Sequence, residues 1–378
     1  MNEEFVKSMP KLGFGMMRLP MAGDEIDLEQ TCRMVDEFMA HGYTYFDTAY
    51  AYGDGANEIA VRKAVVERHP RDSFYLATKL SLFSKKTAEE ARKMFDVSLE
   101  RTGAGYFDFY LLHNLGDHRT ALYEDLDLWH FILEKKAEGK IRHIGFSFHD
   151  TADKLDAILT QHPEAEFVQL QINYIDWENE KIQSRKCYEV ARKHGRPVVI
   201  MEPVRGGNLA TPPANVAELF HKENPEATPA SWAIRFAASL PGVLTVLSGM
   251  SSIEQVRDNL QTMDHFKPLD AHEQQVICKA REMIEAIPTI PCTGCEYCLK
   301  GCPQQIAIPG AFAAYNTYQR FGNLQIVLGN YSWAREGFGR NRANECIECG
   351  LCETVCPQHI QIREELKRAS ALLDAPTA

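Results

Sequence analysis

From residue 43 onward, short runs of Val, Ile, Leu, Phe and Tyr alternate with longer stretches whose apolar residues recur at helical spacing. The short runs are of strand length and the long ones amphipathic, so each pair reads as a βα unit on a parallel sheet. Strands are predicted at residues 12–15, 44–48, 74–79, 107–113, 141–147, 167–173, 197–202 and 243–248. Eight units in roughly 260 residues predict an α/β fold, a closed (β/α)8 TIM barrel. A doubly wound open sheet is the alternative. No Gly-x-Gly-x-x-Gly follows the first strand, however, and Gly13 with Gly15 is too little to open a dinucleotide-binding turn. After Leu260 the pattern breaks: residues 265–268 read as a stop, 270–287 as a helix, and Pro288 and Pro291 end it. The expected organisation is a barrel over 1–268, a linker helix over 269–288 and a small, largely helical domain over 289–378.

That last domain carries one cysteine pattern twice: Cys292-x2-Cys295-x2-Cys298-x3-Cys302-Pro303 and Cys346-x2-Cys349-x2-Cys352-x3-Cys356-Pro357. Each run places three thiolates on one tight loop and sends a fourth, followed by proline, to the cluster nested by the other run. Two 4Fe-4S clusters are expected, paired crosswise: Cys292, Cys295, Cys298 and Cys356 on one, Cys346, Cys349, Cys352 and Cys302 on the other. Structural zinc sites also use thiolate tetrads, but from spaced pairs rather than a three-cysteine run ending in Cys-Pro. A disulfide scaffold fits clustered cysteines without a secretory signal poorly. The 43 residues between Cys302 and Cys346 look helical and hold Phe312, Tyr315, Tyr318, Phe321, Tyr331, Trp333 and Phe338. These aromatics read as packing over the clusters and against the barrel, or else as a docking face for an electron-transfer partner. Cys32, Cys187 and Cys278 lie in helix-like segments and are expected to pack as small hydrophobes.

With 41 basic and 52 acidic residues among 378, the net charge is −11. That balance argues against a nucleic-acid partner, since such binding rests on Lys and Arg releasing counterions. No stretch approaches a membrane span, and residues 1–10 carry acids without an apolar run, so neither a membrane anchor nor a signal peptide is expected there. Oxidation-sensitive thiolates without an export signal point to a reducing cytoplasm.

In a barrel of this kind chemistry sits at the carboxyl ends of the strands. Asp47, Lys79 and His113 each end an apolar run, on three successive predicted strands, and Tyr52 lies in the glycine-containing loop just past Asp47. Singly, a strand-end Asp or Lys is an ordinary solvated loop residue and a lone His an ordinary structural one. Together they make a proton-donating group for carbonyl reduction. Phenol titrates near ~10, and a neighbouring ammonium is expected to bring that down. Asp47 would keep Lys79 charged, and His113 would hydrogen-bond the substrate oxygen as charge develops on it.

At Phe46-Asp47-Thr48-Ala49 with Tyr52-Gly53, Ala77-Thr78-Lys79, Asp108-Phe109-Tyr110-Leu111-Leu112-His113 and Gly145-Phe146-Ser147, the chain resembles the aldo/keto reductase superfamily over most of residues 10 to 262. As a whole it resembles the subgroup with a C-terminal 4Fe-4S dicluster ferredoxin-like domain. The resemblance implies NADPH, with NADH the alternative, bound across the carboxyl rim. It also implies hydride transfer to a small carbonyl substrate with Tyr52 as general acid and Asp47, Lys79 and His113 completing the tetrad. It places the nicotinamide carboxamide on Ser147 and Gln171, the pyrophosphate on the segment containing Pro203, Val204, Gly206 and Gly207, and the adenosine end on Gly249, Ser251, Ser252, Gln255 and Asn259. For a 2′-phosphate the nearest candidates are Ser252, Arg257 and Arg205. Two departures stand out: Phe148 and His149 follow the serine where the family has asparagine, and Met201 replaces the aromatic that stacks on nicotinamide. Phe14, Met17, Phe83, Asn114, Phe148 and Trp177 are expected to line the substrate mouth, and the loop Asn114-Leu115-Gly116-Asp117-His118-Arg119 reads as a polar clamp or a solvated turn.

Nicotinamide yields two electrons together as hydride whereas each cluster accepts one, so direct handover is awkward without a flavin or similar mediator. No flavin motif is evident. Three accounts follow: a single redox enzyme serving an external electron-transfer protein or a bound mediator, a carbonyl reductase whose clusters are structural or sense redox state, and a cofactor-binding sensor or scaffold that engages a protein partner.

Overall fold

The computed structural model describes residues 1–83, 86–116 and 119–375. Asp117 and His118, in the loop past His113, lie outside them. The chain divides into two compact units: Met1–Gly206 with Asn224–Ile277, and Gly207–Glu223 with Cys278–Ala378. Among the described residues no helix is long and apolar enough to cross a membrane.

The first unit is a closed barrel of eight parallel strands: β1 (Leu12–Gly15), β2 (Tyr45–Asp47), β3 (Tyr75–Leu80), β4 (Phe107–Leu115), β5 (Ile141–Phe148), β6 (Phe167–Gln171), β7 (Val198–Met201) and β8 (Val243–Gly249). Each strand pairs with its sequence neighbours and β1 closes on β8, with Phe14 opposite Ser248. All eight lie at the apolar runs of the sequence, because a parallel strand covered on both faces has no polar alternation to blur it. A two-stranded hairpin, Met21–Ala22 with Glu25–Ile26, was not expected. Its strands are too short to show a period, and Gly23 (φ 66°) makes the turn.

Alternate residues divide between two cores. Tyr45, Ala77, Phe109, Leu111, Phe167 and Val199 point inward and fill the barrel, while Phe14, Phe46, Tyr110, Leu112 and Phe146 face the helices. Gly13 is inward too, and a Cβ there would meet Leu247 Cδ2 at 2.8 Å, so close packing of the interior excludes a side chain. The helices begin where their caps dictate. Ala88–Thr102 follows a capping box in which Thr87 accepts from Glu90 N and Glu90 accepts from Thr87 N. The helix expected over 270–287 runs Ala271–Glu285.

The second unit is helical. The insert between the cysteine runs forms two helices, Ile308–Phe321 and Leu324–Glu336, followed later by Ile362–Leu373. Its aromatics divide: Phe312, Phe321 and Tyr331 are buried, Tyr315 and Tyr318 partly so. Trp333 and Phe338 are 64% and 57% exposed and meet edge to face at 5.4 Å. Of the three cysteines expected to pack, Cys187 is buried and Cys32 half-buried. Cys278 is exposed, a correction that follows from its turning to the polar side of its helix.

Phe109 is fully buried in the barrel interior, with Tyr45, His143 and Phe167 rings at 5.0, 5.3 and 5.4 Å. Phe109→Ala removes that filling and is expected to cost about 3–5 kcal/mol. In thermal unfolding it should appear as a fall in Tm of roughly 10 °C.

Candidate functional site

The period of two that fills the barrel also builds its rim. Two residues beyond each inward apolar side chain stand Asp47 (after Tyr45), Lys79 (after Ala77), His113 (after Leu111), Gln169 (after Phe167) and Met201 (after Val199). Lys79, 1% exposed, donates to Asp47 Oδ1 at 2.5 Å, to Thr48 O at 2.7 Å and towards the Tyr52 hydroxyl at 3.5 Å. Gln169 Nε2 lies 3.5 Å from the other Asp47 oxygen. Tyr52 opens the turn Tyr52–Gly55, where Gly53, Asp54 and Gly55 all have positive φ. A Cβ on Gly55 would fall 2.3 Å from Arg101 Cζ, and that guanidinium donates to Tyr50 O at 3.0 Å and to buried Glu58 at 3.3 Å. Gly55 and Arg101 thus hold the loop that carries the phenol. His113 Nδ1 lies 2.6 Å from Ser81 Oγ, and its ring meets Tyr52 and Phe83 edge to face at 5.8 and 5.3 Å.

The electrostatics follow from this packing. Burial works to discharge Lys79, but Asp47 and then Tyr52 together outweigh it and the ammonium's pKa ends above its ordinary value. For Tyr52 the sequence led to the expectation of a lowered pKa. In the structure burial raises it by more than the Lys79 charge lowers it, so the phenol stays firmly protonated. Burial, and then the Lys79 charge, hold His113 well below the usual histidine range, so the imidazole is neutral.

The residues expected to hold a nicotinamide cofactor fall into three groups. Ser147 is buried, accepts from Asn114 N at 2.7 Å and stands opposite Gln169 in the β5–β6 register. Gln171 donates to buried Asp176 at 2.9 Å, and Asp176 also accepts from Asn173 at 2.8 Å and Arg205 at 3.2 Å. In the segment after β7, Pro203 is buried and Val204 and Gly206 half-buried, with Gly206 at φ 65°. Gly207, at φ 101°, begins the stretch grouped with the second unit. At the end of β8 Gly249 pairs with Gly15, and beyond it Ser251 N donates to Gln255 Oε1 at 2.7 Å and Ser252 caps Ile253–Asp264. Asn259 donates to Ser248 Oγ at 2.7 Å.

Sequence reasoning missed Gln169, whose Oε1 is buried with no hydrogen-bond partner among the described residues. Its place two residues before Gln171, on the same strand face, was the available signal. Arg18 was missed as well. A Cβ on Gly206 would lie 3.4 Å from its guanidinium, and nothing in its surrounding sequence announces that approach. Arg257 is already gripped by Glu37 at 2.7 and 3.1 Å. The expected mouth lining needs correcting too. Phe14 and Phe148 are buried among the helix-facing core, because their strand parity turns them outward, and Trp177 is half-buried against Tyr188 and Phe236. Met17 and Phe83 are exposed, and Asn114 is half-buried.

In the second unit the two cysteine runs repeat in three dimensions. Left-handed residues recur at equivalent positions, Gly294 and Glu348, Glu296 and Gly350, Gln305 and His359, and each run carries a short helix, Tyr297–Lys300 or Leu351–Thr354. Alternating backbone of this kind turns successive N–H groups towards a concave, anion-binding space. One cavity is lined by Cys292, Cys295, Cys298 and Cys356, and a second by Cys346, Cys349, Cys352 and Cys302. Ile308 walls both. Among the described residues no three His, Cys, Asp or Glu side chains are gathered tightly enough for a single ion, so each tetrad surrounds a space rather than a point. Burial, with neighbouring cysteines, pushes Cys298 up to about 12, and burial, Glu353 and Cys346 push Cys352 up to about 11. Thiolates so placed call for a cationic metal centre, which an iron–sulfur cluster would supply.

A family model for the aldo/keto reductase family matches residues 11–282. The chain belongs to this family. A second model, for a 4Fe-4S dicluster domain, matches residues 291–360. An aldo-keto reductase of Mycolicibacterium vanbaalenii is 30% identical over 262 residues, spanning 68% of this chain and 84% of that protein. The uncharacterized oxidoreductase YqkF of Bacillus subtilis is 26% identical over 310 residues, 71% of this chain and 94% of its own. Among solved structures, the holo form of aldo-keto reductase AKR11C1 from Bacillus halodurans shares 26% identity with a TM-score of 0.57, over 72% of this chain and 92% of that one. A Klebsiella pneumoniae aldo-keto reductase solved in complex with NADPH, 24% identical with a TM-score of 0.57 over 72% and 90% of the two chains, is alike in fold. This aldo/keto reductase is therefore an NAD(P)H-dependent oxidoreductase with a C-terminal 4Fe-4S dicluster domain.

If the tetrads pair as the cavities group them, Cys356→Ser should disturb the cluster of Cys292, Cys295 and Cys298 and spare the other. Iron content of the anaerobically purified variant is expected to fall by about half. Cys302→Ser should lower iron equally but change the other cluster's electron paramagnetic resonance signal.

Proposed function

We propose that this aldo/keto reductase uses NADPH to reduce an aldehyde or ketone, with Tyr52 giving up the proton, and that its dicluster domain holds two 4Fe-4S clusters on the crosswise cysteine sets. The observation that carries the reading is the buried Lys79 ammonium, bonded to Asp47 at 2.5 Å and set 3.5 Å from the Tyr52 hydroxyl. Bound nicotinamide would supply the hydride. The chain's own residues then manage the charge that appears on the carbonyl oxygen. Tyr52 donates its proton to that oxygen, Lys79 stabilises the phenolate left behind, and Asp47 keeps Lys79 charged. His113, neutral, serves as a hydrogen-bond donor to the same oxygen. Exposed Met17 and Phe83 offer a small carbonyl substrate an apolar approach.

For the cofactor we propose Ser147 with Gln169 at the carboxamide, where the unpartnered Gln169 oxygen would accept from the amide, and Gln171 held alongside by Asp176. Pro203, Val204, Gly206 and Gly207 would border the pyrophosphate, with Arg18 in reach of its charge. Gly249, Ser251, Ser252, Gln255 and Asn259 would border the adenosine end, with NADPH preferred to NADH. The clusters, which pass single electrons, would serve an electron-transfer protein in a reducing cytoplasm. Mixing NADPH with anaerobic protein tests that coupling: bleaching of the iron–sulfur absorbance supports it, and persistent colour assigns the clusters a structural role.

Tyr52→Phe is expected to lower NADPH-dependent carbonyl reduction by roughly 10²-fold or more. Unchanged turnover would remove Tyr52 from the chemistry. The donor must be protonated to act, and burial lifts its pKa above the ordinary value of about 10. Reduction at saturating cofactor should accordingly stay flat from about pH 7 to about pH 9 and decline only beyond. A falling limb centred below about pH 9 would mean that the ammonium prevails over burial.

A further inference from the structure

Ser81 has no part in the reaction as described, yet it is buried at 3% exposure just past the end of β3 and its hydroxyl lies 2.6 Å from His113 Nδ1. We propose that Ser81 is a positioning residue that donates its hydroxyl hydrogen to Nδ1 and so holds His113 in the Nε2–H tautomer, the form able to donate to a carbonyl oxygen. The inference rests on the carbonyl-reduction reading above and adds to it the choice of tautomer.

A neutral imidazole has one donor and one acceptor nitrogen, and which is which depends on the bond the ring makes to its surroundings. Two arrangements suit the 2.6 Å contact. If Nδ1 carried the hydrogen, Ser81 Oγ would accept it and its own hydroxyl would be left with Lys79 O at 3.4 Å, long for an O–H···O bond. Nε2 would then be a bare lone pair, which repels an oxygen gaining negative charge. With the hydroxyl donating to Nδ1, its hydrogen is satisfied by the 2.6 Å contact rather than the 3.4 Å one, and Nε2 keeps its own hydrogen. The backbone supports this geometry independently. The buried Tyr123 hydroxyl lies 3.0 Å from Leu80 O and 2.7 Å from His113 O and accepts from Leu82 N at 3.2 Å, tying the two strand ends together on either side of Ser81. Tyr52 and Phe83 flank the ring edge to face and oppose its rotation.

The test uses full-length, anaerobically purified protein labelled with 15N-histidine, with the His113 signals assigned by their loss in His113→Gln. Wild-type protein is expected to show an unprotonated Nδ1 and a protonated Nε2, and Ser81→Ala a mixture of tautomers. Carbonyl reduction by Ser81→Ala should fall about tenfold in kcat, the worth of one lost hydrogen bond, with the KM for reduced nicotinamide unchanged. Ser81→Thr, which restores the hydroxyl, should recover most of the loss. A wild-type spectrum with Nδ1 protonated overturns the proposal, as does a Ser81→Ala enzyme whose kcat is unaltered. If Ser81→Ala fails to fold, the wild-type spectrum and Ser81→Thr still decide. Unchanged turnover in Tyr52→Phe would instead defeat the reductase reading while leaving the tautomer result standing.

Discussion

An ammonium cannot be left unpaired inside a barrel, and most of the rim follows from that constraint. Moving a charge out of water costs several kcal/mol even after relaxation, and removing one partner of a buried pair typically costs about 3–5 kcal/mol. Lys79 therefore requires Asp47, whose carboxylate stands at the end of the adjacent strand, and Thr48 O supplies a further acceptor. Once the pair is in place, the direction left to Lys79 faces the Tyr52 hydroxyl. Asp47 in turn draws in Gln169 from across the barrel. A requirement of charge balance thus organises residues from β2, β3 and β6 around one phenol.

The dicluster domain meets a similar requirement by other means. Its Cys298 and Cys352 thiols are buried, so both would resist ionisation without a positive centre beside them. Ion pairing within the chain does not answer this, since the cavity walls are chiefly isoleucine, leucine, phenylalanine and cysteine. Iron would supply the positive charge, and Ile306 N donates to Cys302 Sγ at 3.4 Å. Nicotinamide gives up two electrons together and a 4Fe-4S cluster takes one at a time, so the two modules differ in the electron chemistry each could serve.

Much of this was legible before any coordinates. Eight continuous apolar runs mark parallel strands that are covered on both faces, and each repeated Cys-x2-Cys-x2-Cys-x3-Cys-Pro run carries its own cluster chemistry. Asp47, Lys79 and His113 declare themselves as polar ends to apolar strands. What could not be read was parity and proximity. Phe14 and Phe148 sit near the rim in sequence but turn outward, whereas Gln169, two residues before Gln171, turns inward with a free acceptor. Cys278 occupies a helical segment like Cys187 yet faces solvent.

The order of residues by itself determined the barrel, the two cysteine tetrads and the polar side chains at the strand ends, because hydrophobic period and ligand spacing are local properties of a chain. The tertiary structure alone decided which of those polar groups touch and how acidic they are. Tyr52 is the clearest case. Its ammonium neighbour was foreseeable, but the extent to which surrounding atoms exclude water from the phenol was not, and exclusion prevails over attraction in setting its charge. Desolvation sums over everything packed nearby, from elements far apart in sequence, and so comes into being only when the chain folds.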